Sequence, residues 1–428
     1  MKHNCIFTIC SKNFLAQALT LKASLNKHEP KVDFHIFLAD LSSPEIQELD
    51  VIRLDESWIP KWREMAFKYD VVEFNTSIKP FCFQKMLAIG YDNVVYMDPD
   101  LYVTHELSYL WDNLESHSVI LTPHITSIEL ADEGLLPETD FLFAGIYNLG
   151  FVALRNNDIG LKIVQWWSHQ LESYCFVSPS ESLFTDQKWM NFIPSFFPKE
   201  TLISDHLGLN VSYWNLHERE LIVKNDGYFI RDKSSEKEWP LLIFHFSGFK
   251  PTNDKMISAH QPYYNVDSFP SFIPIIKEYK ELEEKNGYEH FSKLHYAFNA
   301  FEDGLLITGF QRRLYRATEN EYSGENPFSP DSGFYQNLKK SNLLVRDKNS
   351  AINAYASVTT ENRSRKLQLF EAMAKVVFKL VGVKRYASFV QHLRALSFFE
   401  SHTFLMRKMN TINKDELYIY RVTKKQKI

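Results

Sequence analysis

Between Cys5 and Pro44 the hydrophobic pattern alternates between strand and helix, and this alternation limits the folds open to the chain. Cys5–Ile9 is a short apolar, β-rich run, the first strand. Phe14, Ala18, Leu21 and Leu25 then fall at spacings of four, three and four, the stripe of an amphipathic helix. Asp33–Leu38 is a second strand, closed by Ala39-Asp40. Ser42-Ser43-Pro44 opens another helix, with proline at an early position. Strand, helix, strand, helix is the rhythm of a parallel sheet covered on both faces. In such sheets ligands sit at the carboxyl ends of the strands, where Thr8, Asp40 and Asp98 fall.

The strand that matters most is Asn93-Val94-Val95-Tyr96-Met97, which runs directly into Asp98-Pro99-Asp100. Positions two apart on a strand point to one side, so Asp98 and Asp100 are expected to project together with Pro99 facing away. Pro99 has no N–H to continue a ladder and marks the strand's end. Two convergent carboxylates repel unless something cationic lies between them, and a divalent metal is the simplest candidate. A solvated turn is the plainer reading of the same three residues.

Downstream, Ser77-Ile78-Lys79-Pro80 starts a helix that Gly90 closes, placing Lys79 near a helix N-terminus, where anions are favoured. Val119–Thr122 is a strand, and Tyr147–Leu154 another, with Gly150 inside it marking the close approach of a ligand or backbone. Asp158 is expected to cap a helix carrying Leu161, Val164, Trp167 and Leu171 on its apolar face. Leu241–Phe246 is the last strong strand. Residues 270–312 read as helical, Tyr322–Phe334 as a loop rich in Gly, Pro and Ser, and 363–410 as amphipathic helices. The division expected is 1–280 for the α/β domain and 281–428 for a helical C-terminal extension.

A chain of 428 residues, 45% hydrophobic and 24% charged, is globular and large enough for this plan. Its net charge of −5 gives no global attraction to nucleic acid, and no nucleic-acid partner is expected. Cys5, Cys10, Cys82 and Cys175 show no C-x-x-C spacing and read as buried thiols of a reducing compartment. No stretch reaches the roughly 18 apolar residues of a membrane span, and the first apolar run reads as a strand rather than a signal peptide. A cytoplasmic protein is expected, with contact at the inner face of a membrane left open.

Four motifs occur in order: Met97-Asp98-Pro99-Asp100, Tyr147-Asn148-Leu149-Gly150, Thr185-Asp186-Gln187-Lys188-Trp189-Met190-Asn191, and His245-Phe246-Ser247-Gly248-Phe249-Lys250-Pro251. Together they resemble the retaining glycosyltransferase family that includes glycogenin and bacterial lipopolysaccharide galactosyltransferases. The resemblance covers roughly residues 4–251. It implies the GT-A fold, a mixed and mainly parallel α/β sheet flanked by helices, with a nucleotide-sugar donor of the UDP-hexose kind and a glycan or lipid-linked acceptor.

It also implies a metal held by Asp98, Asp100 and His245. One imidazole among oxygen ligands favours Mn²⁺, with Mg²⁺ able to substitute. Such an ion would stabilise the charge that develops on the leaving diphosphate. A core histidine at a strand end is the plainer alternative for His245. Asn148, Asp186 and Gln187 match positions lining the sugar pocket, with Asp186 or Gln187 near the anomeric carbon as the catalytic group. Asp186 could instead cap the helix at 186–191. Thr8 and Asn13 match positions that hold base and ribose, although that motif is loose. Gly248 would admit the diphosphate, and Lys79 and Lys250 would neutralise it. Here the sequence departs from the family's His-x-x-Gly-x-x-Lys-Pro, having one residue fewer before Lys250, which could equally be a solvated lysine. Trp214 suits a sugar-stacking ring or a buried aromatic.

Beyond the resemblance, residues 363–399 hold eight Lys/Arg and one acid, Glu371, interleaved with Leu367, Phe370, Val377, Leu380 and Phe389. That pattern suits a helix lying on an anionic membrane, or a basic face packed on the catalytic domain. Two other activities use similar parts. An inverting GT-A enzyme would add a carboxylate base near the acceptor. A metal-dependent phosphohydrolase or nucleotidyltransferase would use the Asp pair but leave Asn148, Asp186, Gln187 and His245 without a role.

Overall fold

The computed structural model describes residues 3–127, 136–253, 255–261, 264–345 and 365–406. The chain forms two compact units, Met1–Lys61 with Val71–Ala297, and Trp62–Asp70 with Phe298–Ile428.

The first unit is built on strands β1 (Asn4–Cys10), β2 (Asp33–Leu38), β3 (Ile52–Arg53), β4 (Asn93–Met97), β5 (Leu101–Val103), β6 (Val119–Leu121) and β7 (Phe151–Arg155). A seven-stranded sheet runs in the order Thr201–Ile203, β6, β7, β4, β1, β2, β3. β1 is parallel to both β2 and β4, and β6 is parallel to Thr201–Ile203. β7 runs antiparallel between β4 and β6. The sheet is therefore mixed and mainly parallel. Its central strands read as continuous apolar runs because helices cover both faces. On one face Ile6, Val95, Met97, Ile120 and Phe151 pack with Leu21 and Leu25 of the Leu15–His28 helix. On the other, the Phe7 ring meets Phe37, Phe83 and Tyr96 at 5.3, 4.9 and 5.3 Å between centroids.

Several local expectations give way to the structure. The chain leaves the β4 ladder at Met97, and Asp98-Pro99-Asp100 is a turn into β5 rather than the end of one strand. β5 then pairs antiparallel with Ile243–His245, a shorter strand than Leu241–Phe246. Thr8 lies inside β1, not at its end. Pro44 opens only a 3-10 turn, Pro44–Ile46, because Ser43 makes no capping bond to extend it. The Asp158–Tyr174 helix is capped by Asn157, whose Oδ1 accepts from the Gly160 N–H at 2.8 Å. Its buried face is Ile163, Val164, Trp167 and Leu171, while Leu161 is exposed. β7 begins at Phe151, so Gly150 precedes it.

The 270–312 stretch splits into Ile273–Lys285, a left-handed break at Gly287, and Gly309–Thr318, started by a Thr308/Gln311 capping box. All four cysteines are free and buried. Among the described residues no helix is long and apolar enough to cross a membrane.

In the second unit the Gly309–Thr318 helix packs on Trp62–Lys68 through buried arginine. The Arg312 guanidinium donates to the carbonyls of Ala66, Phe67, Tyr69 and Phe298. Phe67 sits among Phe301, Tyr315, Phe328 and Phe334. Arg316 donates to Glu400 at 3.0 Å, and Lys68 pairs with Glu319 at 2.8 Å. Arg365–Leu396 is one helical run broken at Gly382, whose φ is +76°. Arg363 and residues 407–410 lie outside the described residues.

One buried group sets a pH dependence. Glu283, on the Ile273–Lys285 helix, is 1% exposed, and its Oε2 has no hydrogen-bond partner among the described residues. Burial, reinforced by Asp100, pushes its carboxyl up to about 8. A raised carboxyl means that the fold favours the protonated form, so its contribution is complete below about pH 4.5 and is lost as pH rises to about 8. Glu283→Gln should therefore raise the melting temperature at pH 8, by roughly 1–3 kcal/mol of stability, and change it little near pH 4.5. Thermal unfolding at the two pH values checks this.

Candidate active site

The turn after β4 and the strand end at His245 build the site. The Asp98 N–H donates to the Gly150 carbonyl at 2.7 Å, and the Leu101 N–H to the Asp98 carbonyl at 3.1 Å, which fixes the turn. The Phe246 N–H donates to the Asp100 carbonyl at 2.9 Å, locking the turn to the strand that carries the histidine. Asp98, Asp100 and His245 each offer one ligand atom, and these atoms lie within 4.8 Å of one another. His245 Nε2 is 3.3 Å from Asp100 Oδ1 and 3.9 Å from Asp98 Oδ2. Burial raises the Asp100 carboxyl, but a protonated His245 beside it outweighs burial and leaves the group below its usual range.

Lys79, the first residue of the Lys79–Ile89 helix, is 1% exposed. Its Nζ lies 2.9 Å from Asp186 Oδ2 and 3.6 Å from Asp98 Oδ1, donates to the Leu149 carbonyl at 2.8 Å and sits 4.2 Å from the Tyr96 ring centre. Burial would lower its pKa, but the two carboxylates outweigh burial and hold it above the ordinary value. The Tyr96 hydroxyl donates to Asp98 Oδ1. Asp186 makes no helix cap; its side chain turns to Lys79, which removes the capping alternative. Burial, with Asp98 adding to it, pushes the Asp186 carboxyl up against the opposing pull of Lys79. Its main chain is anchored too: the Trp167 indole donates to the Asp186 carbonyl at 3.3 Å. Thr185 just before it has φ +43°, which is strained for a β-branched residue.

Lys79, Asp98, Asp186 and His245 line a cavity of about 500 Å³ together with Asn148 and Gln187. Gln187 is clamped, its Nε2 donating to the Ala144 carbonyl at 2.9 Å and its Oε1 accepting from the Leu149 N–H at 3.5 Å. Asn148 Oδ1 accepts from the Gly150 N–H at 3.1 Å. Trp214 is buried and meets the His245 ring edge-on at 5.2 Å, packing the histidine from the cavity wall.

The other expected residues fall elsewhere. Thr8 is fully buried in β1, and the Asn13 Oδ1 accepts from Ser11 at 2.6 Å; neither lines the cavity. Gly248, at φ +72°, faces His260: a Cβ there would lie 2.5 Å from the imidazole Cδ2. Lys250 is exposed and also outside the lining. Sequence reasoning missed His124, Asn210 and His260. His124 carried one usable signal, since Thr122-Pro123-His124 ends a strand on a proline and a titratable group just as Asp98-Pro99-Asp100 does.

The donor set fits a divalent cation. Asp98 and Asp186 face the Lys79 ammonium and Asp100 faces His245, so with a neutral His245 the three carboxylates and one ammonium leave the cluster two positive charges short. Carboxylate oxygens with one imidazole nitrogen are ligands for Mn²⁺ or Mg²⁺.

No protein-family model matches the chain. Two proteins of Bacillus subtilis (strain 168) are similar to it in sequence. Uncharacterized protein YfnF is 25% identical over 308 residues, spanning 69% of this chain and 96% of the relative. Uncharacterized protein YfnD is 22% identical over 315 residues, spanning 70% and 93%. Among solved structures, galactosyltransferase LgtC in complex with donor and acceptor sugar analogs is 14% identical with a TM-score of 0.37, covering 66% of this chain and 95% of that one. The apo-form glycosyltransferase GlyE of Streptococcus pneumoniae TIGR4 is 16% identical with a TM-score of 0.38, covering 71% and 67%.

Gly150 is the tightest point of the site. A Cβ added there would lie 2.3 Å from His245 Cε1, 2.8 Å from Asn148 Oδ1 and 2.9 Å from Asp98 Oδ2. Gly150→Ala should cost about 1–3 kcal/mol through overpacking and push His245 off the carboxylates. Thermal melting with and without Mn²⁺ reads both effects: the wild-type chain should gain stability on adding Mn²⁺, and the variant should not.

Proposed function

We propose that this chain is a metal-dependent glycosyltransferase that moves a hexose from a UDP-sugar to a cell-surface glycan or lipid-linked acceptor, with retention of anomeric configuration. The observation that carries the reading is the cluster of Asp98, Asp100 and His245, of which Asp98 and His245 line a cavity of about 500 Å³ together with Asp186, Gln187 and Asn148. The order of the four motifs supports it from the sequence. When bound, Mn²⁺ or Mg²⁺ would act as a Lewis acid toward the leaving diphosphate.

The chain's own groups do the rest. Lys79 is committed to Asp98 and Asp186, so its part is to hold both carboxylates in place rather than to reach the diphosphate. Asp186 and Gln187, each anchored to backbone or a buried cation, face the sugar and stabilise positive charge at its anomeric carbon. Asn148 reads hydroxyl orientation, because a wrong epimer would leave a buried amide unpaired. In the same reading Gly248 and Lys250 belong to the phosphate side and Asn13 to the nucleoside side, while Thr8, fully buried in β1, keeps only a structural part there. Asp140, an exposed carboxylate on the same cavity, is the one observation that favours an inverting enzyme, as a base toward the acceptor.

Activity requires the metal in this reading. EDTA should abolish hydrolysis and transfer of UDP-hexoses, and Mn²⁺ should restore them. Asp98→Asn and Asp100→Asn should each lower turnover by at least about 10²-fold. Full turnover in EDTA would remove the reading. NMR of the product's anomeric centre separates retention from inversion, and Asp140→Asn should abolish transfer only if inversion is found.

The Arg365–Leu396 helix supports a place at the inner face of an anionic membrane. Before Gly382, Phe370, Met373, Val377 and Leu380 share one side, with Phe370 and Leu380 at 60% and 80% exposure, while Lys375 and Lys379 lie opposite. After the break, Val383, Tyr386, Val390 and Leu393 repeat the pattern against Lys384 and His392. The chain should sediment with anionic vesicles at low salt and be released as salt rises. Lys375→Glu with Lys379→Glu should weaken binding by roughly tenfold or more, at about 1 kcal/mol per lysine. Binding unaffected by salt or by the double substitution would return this helix to a purely structural part.

A further inference from the structure

The hydrogen bonds behind His245 form a relay whose direction is forced from both ends. At one end, His124 Nδ1 lies 3.1 Å from the Ile146 carbonyl, which can only accept, so Nδ1 carries the proton. Burial lowers the His124 pKa to about 4 and keeps the ring neutral, leaving Nε2 as an acceptor. The Asn148 Nδ2 therefore donates to it at 3.3 Å. At the other end, the Gly150 N–H requires Asn148 Oδ1 as its acceptor, which sets the same amide orientation independently. Asn148 Oδ1 also accepts from Asn210 Nδ2 at 3.0 Å, and Asn210 Nδ2 donates to Thr122 Oγ1 at 2.9 Å. Asn210 Oδ1 is thus left facing His245 Nδ1 at 3.1 Å, and as an acceptor it needs the proton there.

The consequence falls on the far side of the ring. With the proton on Nδ1, His245 turns the Nε2 lone pair toward Asp98 and Asp100. A lone pair aimed at two carboxylates is unfavourable by itself and well suited to a cation between them. Asn210 is built to hold this arrangement. It is 1% exposed and sits at φ +57°, a left-handed conformation that Asn tolerates better than most residues. Its own carbonyl accepts from Asn215 Nδ2 at 3.3 Å, and the His245 N–H is tied to the Val211 carbonyl at 2.7 Å.

We infer that Asn210 is the positioning residue of the metal centre. It fixes the tautomer and the ring orientation of His245, and it couples the metal to Asn148, so that one amide chain runs from the ion to the sugar-reading group. The inference rests on the proposed metal site and adds a residue outside the four sequence motifs.

The test uses the full chain. Asn210→Gly keeps a residue at ease with φ +57° while removing the amide. Its Mn²⁺ affinity, read by electron paramagnetic resonance of the free ion, should fall about 10–100-fold, the usual effect of losing such a partner. ¹⁵N NMR of histidine-labelled, metal-free wild type, at a pH where the ring is neutral, should place the His245 proton on Nδ1, and this needs no variant to fold. Equal Mn²⁺ affinity in Asn210→Gly and wild type, or a wild-type proton on Nε2, overturns the inference while leaving the metal site standing. A wild-type chain that binds no Mn²⁺ overturns the proposed function first and this inference with it.

Discussion

A buried ammonium between two carboxylates organises the first unit's chemistry. Lys79 brings a positive charge into a region that excludes water, and it is kept ionised by Asp186 on one side and Asp98 on the other. Remove it and the two acids lose the group that lets them sit in the same cavity wall, with Asp100 close behind. Each partner comes from a different part of the fold: a helix start, the turn after β4, and a strained loop anchored by Trp167. The three groups therefore tie together elements that sheet hydrogen bonds alone do not connect.

The sheet was legible because parallel strands buried on both faces leave an unbroken apolar signature, as in Cys5–Ile9, Asp33–Leu38 and Asn93–Met97. Motif order brought Asp98, Asp100 and His245 onto the same list, and the fold brings them within ligand distance of one another. What failed were statements about local backbone. Asp98 and Asp100 converge through a turn, not through strand alternation, because a new strand begins at Leu101 to pair with the His245 strand. Gly150 leaves room for three side chains of the site, since an added Cβ would meet His245, Asn148 and Asp98.

The partners of the polar residues were beyond sequence reasoning for a different reason. Nothing in the local context of Asn210 or His124 says that they meet Asn148 from opposite directions, since that depends on where three separate chain segments cross. Lys79 was expected near an anion and is near two, but they belong to the protein. A charged residue's type forecasts the sign of its partner; only the fold decides whether that partner is a ligand or a neighbour.

Residues 62–70 belong with the second unit although they are made early. Trp62 and Phe67 bury their rings among residues 298–334, and Arg312 reaches back to the carbonyls that end the 62–68 helix. During synthesis the early segment must therefore wait until the chain beyond Phe298 has left the ribosome. At about 5–20 residues per second that interval is on the order of tens of seconds. Throughout it the apolar side chains of Trp62, Met65 and Phe67 have no permanent partner, so the nascent chain is most exposed to aggregation between two points of its own making, long before its last residue is added.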